Sequence, residues 1–103
     1  VISACHSGVF VPALAGANRM ILAAARAERT SFGCGVDDRY PYFDDCIIAG
    51  LQKAGDFGAL AASARGCVAA KEKAMKLAPP SEPQTGVGSE IAKRLPALSL
   101  RPD

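Results

Sequence analysis

Val1-Ile2-Ser3-Ala4-Cys5-His6-Ser7-Gly8 is a short apolar run closed by a Ser-Gly turn, the pattern of a strand that ends in a tight reversal. This reading sets Cys5 at the strand's carboxyl end. Met20-Ile21-Leu22-Ala23-Ala24-Ala25 is a second apolar run, short enough for a buried strand despite its alanines. Between the two, Val9 to Ala17 contains Pro12 and Gly16 and reads as a short irregular or helical link.

Downstream the pattern changes. Arg26 to Tyr42 is polar and turn-rich, so a long loop is expected there. Phe43, Ile47 and Leu51 recur at four-residue spacing, which predicts an amphipathic helix over 42 to 54, stopped by Gly55. Leu60, Ala64, Cys67, Val68 and Met75 form the stripe of a second, longer helix whose Arg65, Lys71, Lys73 and Lys76 fall mostly elsewhere. Cations near its end suit the helix dipole. Pro79 to Gly88 reads as a loop, and Glu90 to Leu98 as a last short helix. Strands followed by helices, with the reactive-looking residue at a strand end, give an α/β sheet with its site at the strands' carboxyl ends. Two strands do not make a stable sheet. The expectation is therefore one unit, residues 1–103, that forms the later part of a longer domain, is incomplete by itself, and takes its remaining strands from an upstream portion or a partner chain.

Composition narrows the function classes. The chain has 103 residues, half of them apolar, and a formal net charge of +2 with no block of like charges, so nothing points to nucleic acid. Arg19, Arg26, Arg29 and Lys53 interrupt every apolar run before the ~18 residues a bilayer span requires. The four cysteines, Cys5, Cys34, Cys46 and Cys67, show no Cys-x-x-Cys spacing, and the single histidine directly follows a cysteine. No metal or other cofactor is expected. Reduced thiols fit this usage, with a Cys46–Cys67 bridge between neighbouring helices as the alternative in an exporting compartment.

A thiol nucleophile needs access, activation and a nearby base, and a cysteine that ends a buried strand before a glycine turn meets the first need. Gly8 lets the backbone come close. The Cys5–Gly8 turn can also aim backbone N–H groups at a developing oxyanion, as acyl transfer requires.

The run from Ile2 to Gly8 resembles the nucleophile motif of legumain-type cysteine peptidases, in which apolar strand residues precede Ala-Cys and a Ser-Gly turn. Ala23-Ala24-Ala25-Arg26-Ala27-Glu28-Arg29-Thr30-Ser31-Phe32-Gly33-Cys34 is similar to that family's second strand and the substrate-binding loop after it. Tyr42-Phe43-Asp44-Asp45 looks like its tyrosine-containing helix start, which lends an acid to the primary specificity pocket. The resemblance is carried by residues 1 to 55 and is of the bacterial type, whose members the helices and the Pro79–Gly88 stretch that follow resemble only loosely. It implies a caspase-like sheet with flanking helices, Cys5 as nucleophile, and His6, Thr30, Ser31 and Asp45 in substrate binding. It also implies a base histidine in a His-Gly motif on the preceding strand, which would come from upstream residues or a complementary chain. His6 stands where plant and animal members carry an acid that lines an asparagine pocket, so an acidic or amide first residue is the expected preference. The implied activity is hydrolysis of peptide bonds in a peptide or protein substrate, absent from the isolated, poorly folded fragment.

Plainer readings exist for each residue. A strand-end cysteine can be a small core residue, His6 a solvated turn residue, and Thr30 and Ser31 simple turn formers. Cys34, Cys46 and Cys67 are read as structural, and Asp37, Asp38, Asp44 and Asp45 as a polar loop and a helix start. The functional alternatives are a non-catalytic caspase-like module that binds peptides or partners, and an oligomer-forming structural fragment.

Overall fold

The second apolar run is the centre of the fold. A computed structural model describes residues 1–33 and 40–100 of the chain. In it Met20–Ala23 forms strand β1, with Ile21, Leu22, Ala23 and the following Ala24 and Ala25 all buried. A run buried on both faces has no polar alternation, which is why it reads as uninterrupted apolar sequence. Ile2 meets the end of β1 in a parallel bridge to Ala23, donating its N–H to Leu22 O at 2.8 Å and accepting that of Ala24 at 3.0 Å. The expected first strand is thus a single bridge, set beside β1 in parallel.

On the other side of β1 lies Gln84–Val87, strand β2, antiparallel in the register Met20↔Val87 to Ala23↔Gln84. This corrects the reading of 79–88 as loop throughout. Thr85 and Gly86 carry no strand pattern of their own, and the pairing with β1 makes the strand. Helix α1, Phe10–Leu14, packs against both strands, with Val11 close over Gly86.

Helices α2, Tyr42–Leu51, and α3, Phe57–Ala74, pack together against the opposite face. Their contact with Leu22 and Ala24 forms the core, through Phe43, Cys46, Ala61, Ala64 and Val68. Burying side chains of the size of Phe43, Leu60 and Val68 contributes about 1.5–3 kcal/mol each. Asp56 caps α3, its carboxylate accepting the Ala59 N–H at 2.8 Å. Lys71 and Lys73 sit in the last turn of α3, as the dipole favours. The buried stripe of α3 runs from Leu60 through Ala64 and Val68 to Glu72, whereas Met75 is exposed. Cys46 and Cys67 are joined in a disulfide between α2 and α3, so the bridged alternative replaces the expected reduced pair. Helix α4, Ser89–Arg94, and a 3-10 turn at Leu95–Ala97 follow, and the Leu100 N–H beyond them donates to Gly55 O at 2.8 Å. Among the described residues no helix is long and apolar enough to cross a membrane. The arrangement is a mixed α/β unit with a two-stranded sheet, consistent with part of a caspase-like domain.

Candidate active site

Cys5 is an exposed free thiol at the point where the chain leaves the sheet. The next residue, His6, takes a left-handed conformation with φ of 60°, sparsely allowed for a side-chain-bearing residue though less unusual for His. It turns the chain into the 3-10 segment Ser7–Val9. That segment is tied to the end of the second apolar run. Ser7 is fully buried and its Oγ accepts the Ala25 N–H at 3.3 Å, while the Gly8 N–H donates to Ala25 O at 2.6 Å. A Cβ on Gly8 would lie 2.7 Å from Ala27 N and 2.8 Å from Ala25 O. Both are backbone atoms, so only glycine fits this approach.

The segment 26–31 completes the seat. The His6 N–H donates to Arg29 O at 2.8 Å. His6 Nδ1 lies 2.9 Å from Ala27 O. A carbonyl only accepts, so this contact requires the proton on Nδ1 and leaves Nε2 as the acceptor of the neutral ring. Cys5 Sγ accepts the Ser31 N–H at 3.3 Å and donates to Ser31 O at 3.4 Å. The amide contact serves the sulfur in either protonation state, whereas the carbonyl contact exists only while the thiol proton is present.

Cys5, His6, Gly8, Thr30 and Ser31 are therefore brought together, Thr30 exposed and Ser31 buried beside the sulfur. Asp45 sits apart from this cluster, in the first turn of α2. Its carboxylate faces Lys71 Nζ at 3.9 Å, and both side chains are more than 40% exposed, which makes the pair weak. The link to the cluster is indirect: the Tyr42 N–H at the head of α2 donates to Phe32 O at 3.0 Å. Cys34, Asp37 and Asp38 lie outside the described residues. The Gly8 N–H is engaged with Ala25, whereas the Cys5 N–H meets no acceptor among the described residues.

Sequence reasoning missed the residues beneath this seat. Arg26 pairs with Glu28 at 2.6 Å and with Glu82 at 2.9 Å. The hydrogen bond to Glu82, then the charge of Glu28, raise its guanidinium above the usual arginine value. Ser81 O accepts the Arg26 N–H at 2.9 Å, and Arg29 Nη1 donates to Pro80 O at 3.1 Å. The available signal was the four-residue stripe of α3, which extends to Glu72 and so to the segment it contacts.

The peptidase C13 family model matches residues 1–62. No curated protein and no solved structure matches the chain.

Proposed function

Because the chain belongs to the peptidase C13 family, we propose that it supplies the nucleophile of a cysteine endopeptidase, Cys5, acting on a peptide or protein substrate. The observation that supports this most is the seat of Cys5, an exposed thiol followed by a turn held to main-chain atoms of 25–31. Such fixed geometry suits near-attack alignment.

In this mechanism Cys5 Sγ gives its proton to an imidazole and adds to the scissile carbonyl carbon. The C–N bond breaks as the imidazolium protonates the leaving amine, and water then attacks the thioester and frees the thiol. The Cys5 amide donates to the oxyanion, and Gly8 permits the turn that aims it. His6 is the sole histidine of the sequence, and its Nδ1 is engaged with Ala27. The base is therefore assigned to a histidine on an upstream portion of the same domain or on a complementary chain. Among the described residues, Ile2 pairs with β1 on one side only, so its free edge suits the strand that would carry that histidine.

The test is labelling of the assembled enzyme with an electrophilic peptide. A covalent adduct is expected on the tryptic peptide ending at Arg19, which contains Cys5 and no other cysteine. An active preparation that leaves this peptide unmodified would favour the module that binds peptides without cleaving them.

Specificity is assigned to His6 in the primary pocket and to Thr30 and Ser31 beside it, with Asp45 contributing only if that pocket extends to the head of α2. With Nδ1 donating to Ala27, neutral His6 offers Nε2 as an acceptor to an amide. The imidazolium offers a donor to a carboxylate. His6→Gln, which replaces the imidazole by an amide, should therefore change the preference between amide and acidic first residues. Profiling a peptide library for the parent and for His6→Gln checks this. Identical profiles would remove His6 from the pocket, and an unchanged preference in Asp45→Asn would remove Asp45.

A further inference from the structure

Glu72 lies in α3 between two lysines, yet it is 3% exposed. Burying a carboxylate is unfavourable unless its oxygens are well paired, and an apolar side chain of similar size usually serves stability as well or better. Among the described residues no lysine or arginine pairs with it. Both oxygens lie against one donor, the Ser81 N–H, at 3.1 and 3.3 Å. Helix stability alone does not account for such a group, so its use is sought in what it holds.

Ser81 is itself 1% exposed. Its N–H is held by Glu72 and its carbonyl holds the Arg26 N–H. One residue further, Glu82 grips the Arg26 side chain. The segment thus secured, 26–31, presents on its other side the atoms that receive His6 and Cys5, namely Ala27 O, Arg29 O and the Ser31 peptide. Hydrogen bonds joined by the main chain of 26–31 run from α3 to the sulfur.

We infer that Glu72 and Glu82 are positioning residues of the peptidase site: Glu72 fixes Ser81 from within the fold, Glu82 pins Arg26 at the surface, and together they set the segment on which Cys5 and His6 rest. The inference depends on Cys5 being the nucleophile.

Displacement of a nucleophile by about 1 Å can lower turnover by about 10²-fold. Glu72→Ala should accordingly lower kcat by roughly 10- to 100-fold while KM changes by less than about 3-fold, because the loss falls on the transition state. Glu72→Gln should recover most of the rate, since its amide oxygen accepts the same N–H. A role confined to stability would lower the melting temperature of Glu72→Ala and leave kcat unchanged well below it. Glu82→Ala, at an exposed position, probes the same path without burdening the core, and a fall of roughly 3- to 10-fold in kcat is expected for a half-exposed strap. Should Glu72→Ala fail to fold, Glu82→Ala decides alone. Parent-like kcat in the folded variants would overturn the inference. Cys5→Ala in the same assay separates the two claims: turnover persisting there removes the nucleophile and the inference with it, whereas an inactive Cys5→Ala beside fully active glutamate variants removes only the inference.

Discussion

Cys5→Ala is expected to lower peptide turnover by at least about 10⁴-fold, since removing a covalent nucleophile leaves only binding and oxyanion stabilisation to act on the substrate. Stability should scarcely change. The side chain is exposed, and its contacts are two sulfur hydrogen bonds to main-chain atoms of one residue, Ser31. The anchors of the turn, Ser7 Oγ and the Gly8 N–H, belong to other residues and remain. Substitutions of exposed residues away from such anchors usually stay within about 0.5 kcal/mol, a shift of roughly 2–4 °C for a domain of this length. Turnover and thermal unfolding should be measured on the same preparations. An active mutant would dismiss Cys5 as nucleophile. A mutant that is inactive but melts far lower would show that the thiol holds the fold, and its inactivity would no longer speak for catalysis.

Opening the Cys46–Cys67 bridge should have the largest effect on stability. The bridge ties α2 to α3 across 21 residues of sequence, with Cys46 only 1% exposed. Loop-closure entropy for a crosslink of this span amounts to about 3 kcal/mol. At roughly 4–8 °C per kcal/mol for a chain of this size, the double variant Cys46→Ala/Cys67→Ala should melt about 12–24 °C below the parent. The parent treated with a reductant should fall by a similar amount. Coincident melting of oxidised parent, reduced parent and double variant would mean that the helices are held by packing alone.

Much of this was legible in the letters. Met20 to Ala25 could be read as a buried strand because apolar side chains on both faces leave no other signal, and Phe43, Ile47 and Leu51 marked a helix by spacing, though Leu51 itself is exposed and the helix ends there. The Cys5–Gly8 motif led to the correct turn because glycine is needed where Gly8 meets Ala25 and Ala27. Strand β2 was hidden, since Gln84-Thr85-Gly86-Val87 acquires its conformation from β1 and local propensity points to a turn. Met75 was placed on the buried stripe of α3, where Glu72 stands, because a hydrophobicity pattern cannot choose a carboxylate over a methionine. The Cys46–Cys67 disulfide was legible only as the alternative to reduced thiols, because helix spacing alone does not bring two helices face to face.

The hydrogen bonds that seat Cys5 and His6 on the segment beneath them end on main-chain atoms: Ala27 O, Arg29 O, and the N–H and C=O of Ser31. Main-chain atoms are common to all residue types. The side chains of Ala27 and Thr30, which are exposed around this seat, can therefore vary without shifting the sulfur. With Cys5 as the proposed nucleophile, substitutions on this rim can alter sequence preference while the seat of the sulfur stays as it is.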